Sequence, residues 1–301
     1  MSFGDRLAGA VLAKRTPLCV GLDPRWESLP VSFTKSLQEK NLAEISHRVS
    51  QFCKKVIDLV APHVGVVKPQ SAFFELLGPA GFAAQQQVID YARAAGLIVI
   101  LDAKRGDIAS TATAYGEATF TGMMLEGNQL PVWQADALTV NPYLGEDAVE
   151  PFVSTAQAAG GGLFILVRTS NPGSHLFQSL IADGKPLYVH VAEAVARWNA
   201  PTVGARSLGS IGAVVGATHP TELAELRQLL PQVWFLVPGY GAQGGKSEDL
   251  MSAFRSDHLG AIINSSRGIT FPYHPEDPQW EEKIVTATVK ANAELRAAAG
   301  F

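Results

Sequence analysis

The chain has 301 residues, 47% of them hydrophobic and 17% charged, which is the composition of a globular protein able to bury a large core. A net charge of −4 argues against a nucleic-acid-binding surface and against a polybasic membrane patch. The start of the chain lacks the apolar stretch of a signal peptide or membrane span, and Cys19 and Cys53 lie in apolar patterns without zinc-site spacing, so we expect a cytoplasmic protein.

Eight short apolar stretches predict buried strands, and helical segments lie between them. In chain order, the strands are expected at residues 18–22, 64–67, 97–101, 137–140, 163–167, 213–217, 234–237 and 261–264. Helical segments are expected at residues 3–15, 40–60, 79–95, 107–124, 187–199, 220–230, 247–257 and 276–299, with loop-like segments at 25–39 and 171–186.

Three residues are expected to mark the ends of these elements. Pro69 should stop the second strand, because proline cannot donate a hydrogen bond to a strand ladder. Gly96 should follow the last residue of a helix, a position where glycine is favoured because it adopts a left-handed conformation. Asp107 should cap the helix that Ile108 begins, since Asp is favoured as a cap and near the positive end of the helix dipole.

Strands that alternate regularly with helices predict an α/β fold. A doubly wound open sheet would give a similar alternation, but the count of eight favours closure into a (β/α)8 barrel, or TIM barrel, preceded by a short N-terminal helix. No linker or internal repeat divides the sequence. Residues 1–301 are therefore expected to form one catalytic barrel domain.

The third strand brings two charged side chains, Asp102 and Lys104, to the end of an apolar run. Because side chains alternate along a strand, the two share one face if the extended geometry persists through Lys104. Charges that emerge from a buried strand need partners or a function. An isolated Asp-x-Lys is explained equally well by a structural ion pair. The other strand ends must therefore decide between these two interpretations.

Polar residues also lie at or just beyond the ends of other predicted strands. In TIM barrels the catalytic groups occupy these C-terminal strand ends, where the βα loops gather. Taken singly, Asn141 and Thr218 are more simply interpreted as polar residues satisfied at a barrel rim. Their shared position is what indicates an active site, and the full set is Asp23, Lys68, Asp102, Lys104, Asn141, Ser170, Thr218, Gln243 and Arg267.

The last two strand ends carry the features of a phosphate site. Residues 238–245, with the sequence PGYGAQGG, contain four glycines that allow backbone N–H groups to approach an anion. Arg267 adds a planar set of donors that suits phosphate. Loops after strands seven and eight commonly bind phosphate in this fold, so we expect a phosphate site that faces the Lys/Asp cluster.

With these motifs in this order, the chain resembles the orotidine 5′-phosphate decarboxylase family over nearly its whole length. The resemblance is carried by residues 21–23 (GLD), Lys68, residues 102–108 (DAKRGDI), residues 170–173 (SNPG), residues 238–245 and Arg267. It implies a catalytic charge network of Lys68, Asp102, Lys104 and Asp107. It also implies a homodimer with shared active sites, in which Asp107 and Thr111 are contributed to the partner subunit's site.

The resemblance further implies how the substrate is held. Asp23 would contact the ribose hydroxyls and Ser170 the pyrimidine edge, while Gln243 and Arg267 would bind the phosphate. The chain differs from the shorter family members in having longer segments near 25–47 and 171–186. These longer segments leave the core charges untouched.

The activity implied is decarboxylation of orotidine 5′-phosphate to uridine 5′-phosphate in pyrimidine nucleotide biosynthesis, with no metal and no organic cofactor. Loss of CO₂ leaves an anion on the pyrimidine ring, which the protein itself must stabilise. Lys104, held among carboxylates, can stay cationic, stabilise this anion and then supply the proton. Asp102 would lie near the departing carboxylate.

Two other functions are compatible with parts of the sequence. A metal-dependent sugar-phosphate decarboxylase or aldolase on the same barrel would use Asp102 or its neighbours as Mg²⁺ ligands, but Lys68 and the pairing of Ser170 with Gln243 argue against it. A non-catalytic nucleotide-binding barrel could keep the phosphate site without the charge network, but both lysines and both aspartates are retained. In every case the expected ligand is a small molecule, and neither nucleic acid nor a membrane is an expected partner.

Overall fold

The computed structural model describes residues 1–35, 37–241 and 247–301. Eight parallel strands close into a barrel in which each strand pairs with its neighbours in chain order and the last pairs with the first. The predicted α/β TIM barrel is therefore confirmed. The barrel strands are β1 (Leu18–Leu22), β2 (Val66–Pro69), β3 (Ile98–Arg105), β4 (Ala137–Val140), β5 (Gly162–Arg168), β6 (Ile211–Val215), β7 (Phe235–Val237) and β8 (Ala261–Ser265).

Helices surround the barrel, and α1 precedes it as predicted. They are α1 (Phe3–Lys14), α2 (Val31–Thr34), α3 (Leu42–Val60), α4 (Ser71–Glu75), α5 (Gly78–Ala94), α6 (Ala109–Thr119), α7 (Glu146–Ala159), α8 (His175–Gln178), α9 (Leu187–Asn199), α10 (Pro220–Leu229), α11 (Arg267–Thr270) and α12 (Trp280–Ala299). Short 3₁₀ helices cover Trp26–Ser28, Pro172–Ser174, Ala200–Thr202 and Glu248–Ala253. Within the described ranges, none of the helices has the length and apolar character needed to span a membrane.

Helix α1 plugs the N-terminal end of the barrel. Phe3 lies edge-to-face on Phe164, with ring centroids 6.1 Å apart. The same ring occupies the space beside Gly162, where an added Cβ would lie only 2.1 Å from it. Trp234, fully buried, donates from its indole Nε1 to the Gly4 carbonyl oxygen (3.3 Å). Because this end is filled, the opposite end, where the strand C-termini converge, is the one open to a ligand.

A second apolar layer fills the space between the barrel and its helices. The amphipathic spacing predicted for α3 places Val49, Phe52 and Val56 in this layer. Cys53 is buried there, and Cys19 is buried inside the barrel, as their apolar surroundings predict. Burial raises the pKa of the Cys19 thiol to about 12, so this thiol stays protonated at neutral pH.

The helix predicted over 107–124 is shorter than expected. It ends at Thr119, and Gly122, with φ of +79°, redirects the chain into an antiparallel hairpin of Met123–Leu125 and Asn128–Leu130. The apolar side chains from Met123 to Leu125 resemble a continuation of the helical pattern in sequence. In the structure they are exposed on the hairpin, so the prediction for residues 120–124 is wrong.

The other differences are the helix α7 (Glu146–Ala159), which lies where no helix was predicted, and several short elements. The helix predicted over 247–257 is a 3₁₀ helix at Glu248–Ala253. The predicted loop over 25–39 contains α2, and that over 171–186 contains α8 and a small antiparallel pair formed by Ile181–Ala182 and Lys185–Pro186. Hydrophobic periodicity does not identify elements of two to six residues, because such a segment is shorter than two α-helical turns.

Of the three expected end markers, two are confirmed and one is wrong. Gly96 follows the end of α5 with φ of +76°. Pro69 is the last residue of β2, level with Leu22, so the strand ends there as predicted, although the next residue, Gln70, still donates a hydrogen bond to the Leu22 carbonyl oxygen (3.1 Å). Asp107 does not cap α6, since Ile108 occupies the cap position and the Asp107 carboxylate accepts the adjacent Ile108 N–H (2.8 Å).

Candidate active site

A cavity of about 470 Å³ opens at the C-terminal end of the barrel. Its walls include five residues predicted from the strand ends, which are Asp23, Lys68, Asp102, Lys104 and Ser170. These residues follow or end β1, β2, β3 and β5, so they are distant in sequence and meet only because the barrel closes. The cavity therefore has the location and the charged lining of a TIM-barrel active site.

Asp102 is the centre of the charged cluster. Lys68 Nζ donates to its Oδ2 (2.5 Å), and Lys104 Nζ donates to its Oδ1 (2.6 Å). The Thr139 hydroxyl also donates to Oδ1 (2.9 Å), and Gln70 Nε2 donates to Oδ2 (3.2 Å). Both carboxylate oxygens are thus engaged by an ammonium and by a neutral donor, which leaves this carboxylate poorly suited to bind a metal ion.

The two lysines decide the ionisation of this buried carboxylate. Burial opposes the charged form of Asp102, but the ammonium groups of Lys68 and Lys104 outweigh burial and hold its pKa below the ordinary value. Burial likewise opposes the charge of Lys68, yet Asp102 and then Asp23 raise the pKa of Lys68 above its ordinary value. Lys68 and Asp102 therefore stay oppositely charged although their side chains are only 5% and 7% exposed.

Lys104 differs from Lys68 in access to the cavity. Its side chain is 45% exposed, so its ammonium can meet a ligand while it remains paired with Asp102. Its backbone has φ of +47°, and its N–H donates to the Thr139 hydroxyl oxygen (2.9 Å). A positive φ costs a residue with a Cβ about 1–2 kcal/mol, and such conformations cluster at functional sites.

Asp102 and Lys104 both line the cavity, but the extended geometry on which their predicted shared strand face depends is absent. The extended conformation does not persist through Lys104, and the pairing of β3 with β4 shifts between Leu101 and Arg105. The left-handed turn at Lys104 swings its side chain back to the oxygen of Asp102 that faces it. Strand alternation alone does not predict this conformation.

A smaller cavity of about 260 Å³ lies beside the first, at the end of the barrel formed by β7 and β8. Arg267, Arg25 and Tyr240 line it, and Asp23 and Asn264 line both cavities. Two arginines at the strand ends give this region the donors that an anion requires. Gln243, with Gly244 and Gly245 of the predicted phosphate loop, lies outside the described residues.

Three buried oxygen atoms of residues that line the smaller cavity have no hydrogen-bond partner among the described residues. They are Asp23 Oδ1, Asn264 Oδ1 and Ser266 Oγ. Unsatisfied buried polar groups are costly and uncommon in folded proteins, so each calls for an explanation. A ligand that spans both cavities and carries hydroxyl groups would satisfy them.

The remaining predicted residues lie elsewhere. Asp107 is half-buried and Thr111 is exposed, and neither lines the described cavity of its own chain. Asn141 lines a neighbouring apolar cavity together with Phe177. The Thr218 hydroxyl is buried without a hydrogen-bond partner in the part of the chain that the structure describes.

Sequence reasoning missed Gln70, Thr139, Asn264 and Arg25. Thr139 interrupts an apolar strand, and this break in the pattern was the signal that could have identified it as a residue facing the charged cluster. Gln70 and Arg25 lie just beyond strand ends, as the recognised residues do, but Arg25 falls in the predicted loop over 25–39 and Gln70 in a segment for which no element was predicted. Asn264 lies in a predicted strand, and only the arrangement of the two cavities gives it a position between them.

The sequence profile of the family described as "Orotidine 5′-phosphate decarboxylase / HUMPS family" matches residues 16–277. Curated relatives include the orotidine 5′-phosphate decarboxylase of Rhodopirellula baltica, 46% identical over 98% of this chain and 99% of the relative. The enzyme of the same name from Caldicellulosiruptor bescii is 39% identical over 91% of this chain and 90% of its own. Among solved structures, Leishmania donovani OMP decarboxylase superposes with a TM-score of 0.77 at 34% identity, covering 100% of both chains.

Proposed function

Because this chain belongs to the orotidine 5′-phosphate decarboxylase family, whose reaction it catalyses, we propose that Lys104 protonates the pyrimidine carbon that loses CO₂. The chain is a carboxy-lyase of pyrimidine nucleotide biosynthesis on a TIM barrel, and orotidine 5′-phosphate is its substrate. The observation that carries the assignment of Lys104 is its position at Asp102. Of the two ammonium groups that bind this carboxylate, that of Lys104 belongs to the exposed side chain.

Departure of CO₂ leaves an electron pair on a ring carbon, and the barrier falls if a fixed cation lies where this charge develops. The Lys104 ammonium is such a cation, held by a 2.6 Å hydrogen bond to Asp102. It stabilises the anion first and then transfers a proton to the same carbon, so that one group supplies both electrostatic stabilisation and general acid catalysis.

Lys68 and Asp102, which are more deeply buried than Lys104, support this role of Lys104. The buried Lys68 keeps Asp102 ionised, and the Asp102 carboxylate orients Lys104 through a hydrogen bond. Asp102 itself would lie near the carboxylate that leaves. Lys68 contributes its charge and needs no contact with substrate, in agreement with its 5% exposed side chain.

The nucleotide would span both cavities. Ser170 would bind the pyrimidine edge in the larger cavity, and Arg267, with Gln243, would bind the phosphate in the smaller one. Asp23 lines both cavities, which supports its assignment to the ribose hydroxyls between pyrimidine and phosphate. The unpartnered oxygens of Asp23 and Asn264 also fit hydroxyl groups in this position.

The active unit is proposed to be a homodimer in which Asp107 and Thr111 complete the site of the partner subunit. Both residues lie outside the cavity of their own chain, and Ile108 between them is 55% exposed. Each subunit would form one catalytic domain over residues 1–301. The two reduced, buried cysteines support a cytoplasmic location.

An absorbance assay for consumption of orotidine 5′-phosphate, run with and without EDTA, tests the proposed cofactor-free mechanism. We expect equal turnover in both conditions, because Lys104 rather than a metal ion stabilises the anion. Loss of turnover in EDTA that is restored by Mg²⁺ would contradict the proposal. Turnover of the same wild-type preparation before EDTA is added is the control. It identifies a preparation that was inactive from the start.

A further inference from the structure

Arg168, the last residue of β5, turns away from the barrel interior. Leu166 lines the cavity, so strict alternation would point Arg168 into the cavity as well. The register between β5 and β6 shifts after Leu166, and Arg168 instead pairs with Val215. Its side chain, only 4% exposed, enters the layer between barrel and helices. A guanidinium buried in this way requires several hydrogen-bond acceptors.

These acceptors come from α10 and from two short helices in the segment that follows β5. Glu222 on α10 receives two hydrogen bonds, from Nε (2.5 Å) and Nη2 (3.3 Å) of Arg168. On its other edge, Arg168 Nη1 donates to the Ser174 hydroxyl (3.1 Å) and to Gln178 Oε1 (3.3 Å). The planar guanidinium thus connects α10 with the segment that follows β5.

The Gln178 amide in turn holds Thr169 at two points. Its Oε1 accepts the Thr169 N–H (3.0 Å), and its Nε2 donates to the Thr169 hydroxyl oxygen (2.8 Å). The orientation of the amide is determined, because the guanidinium of Arg168 and the N–H of Thr169 can only donate and must both face Oε1. The Thr169 hydroxyl can then donate onward to Asn171 Oδ1 (2.6 Å).

Ser170 lies between Thr169 and Asn171, the two residues held by these hydrogen bonds. It lines the cavity together with Thr169 and Gln178. We propose that Gln178, oriented by Arg168, is a positioning residue that fixes Ser170 against the pyrimidine. This inference rests on the proposed function, because it takes the pyrimidine contact of Ser170 from there. It assigns a function in substrate binding to the longer segment near 171–186, because α8 in that segment brings Gln178 to the wall of the cavity.

A double-mutant cycle of Gln178→Ala and Ser170→Ala tests this inference. We expect Gln178→Ala to raise KM for orotidine 5′-phosphate about tenfold, roughly the effect of losing one hydrogen bond to substrate. In the Ser170→Ala background, the same substitution should raise KM less than about twofold, because the contact through which it acts is already lost. Leu176→Ala, on the exposed face of α8, is the matched control and should leave KM unchanged.

The outcomes separate positioning from a merely structural role. Local unfolding would reduce the active fraction, which lowers the apparent kcat with KM unchanged and lowers the melting temperature. Equal effects of Gln178→Ala in both backgrounds would overturn the inference while leaving the proposed function intact. A Ser170→Ala variant with wild-type KM would instead overturn the pyrimidine contact assigned to Ser170, and the inference with it.

Discussion

Lys104 donates a 2.6 Å hydrogen bond to Asp102 across one intervening residue, because its own backbone turns to a φ of +47°. The turn brings the accessible ammonium of Lys104 onto a carboxylate whose other oxygen is already bound by the buried Lys68. Charge is therefore fixed before substrate arrives, and little reorganisation is needed during the reaction.

Lys104→Ala should fold and lose nearly all turnover. Loss of a general acid alone costs about 10²–10⁴-fold in rate, and the loss of a cation at the same centre adds to this. The comparison is kcat for wild type, Lys104→Ala and the exposed control Lys35→Ala, with circular dichroism to verify folding. A folded Lys104→Ala protein within about tenfold of wild type would exclude the proposed role.

Asp102 should make stability depend on acid pH. Its pKa in the folded protein lies below the ordinary 3.8, so near this pH the unfolded chain binds more protons than the folded one. The stability that Asp102 contributes is therefore complete above the ordinary pKa and is lost as the pH falls towards the folded value.

Urea unfolding of wild type and Asp102→Asn at about pH 5 and about pH 3 measures this contribution. Wild type should lose more free energy of unfolding between the two pH values than the variant, which has no proton to bind at position 102. The other carboxylates titrate in both proteins and cancel in the comparison. Equal losses of unfolding free energy in the two proteins would mean that the pKa of Asp102 is not lowered in the folded protein.

Shared active sites should allow two inactive variants to complement each other. Lys104→Ala and Asp107→Ala are each expected to be inactive, but a mixed dimer has one site with both substitutions and one site with neither. After re-equilibration, about a quarter of wild-type activity should return if subunits associate at random. Mixed dimers verified by mass that stay inactive would show that each subunit builds its own site.

Arg267→Ala should lower kcat/KM for the nucleotide but not for the nucleoside, which lacks the phosphate. A charge-assisted hydrogen bond contributes about 1.5–3 kcal/mol, so kcat/KM for the nucleotide should fall roughly tenfold to a hundredfold. Turnover of the nucleoside should hardly change. Equal losses for both substrates would show that Arg267 does not act through the phosphate and would remove the phosphate assignment of this end of the barrel.

Much of this protein could be predicted from local sequence. All eight barrel strands were located, because a buried strand is a short apolar run and its signal lies within the run itself. The residues that follow these runs, among them Asp23, Lys68 and Ser170, could be assigned to one cavity because parallel strands of a barrel end at one face. The amphipathic helices α1 and α3 could likewise be predicted from the spacing of their apolar residues.

Only the tertiary structure decided which of these residues touch. Lys68 and Asp102 are 34 positions apart, and Thr139 is a further 37 from Asp102, yet all three meet within hydrogen-bond distance. Contacts of this kind depend on strand register and barrel closure, which no local pattern specifies. The register shifts that turn Lys104 towards Asp102, and Arg168 away from the cavity towards Glu222, are set by neighbouring strands and helices, and for this reason they could be found only in the folded molecule.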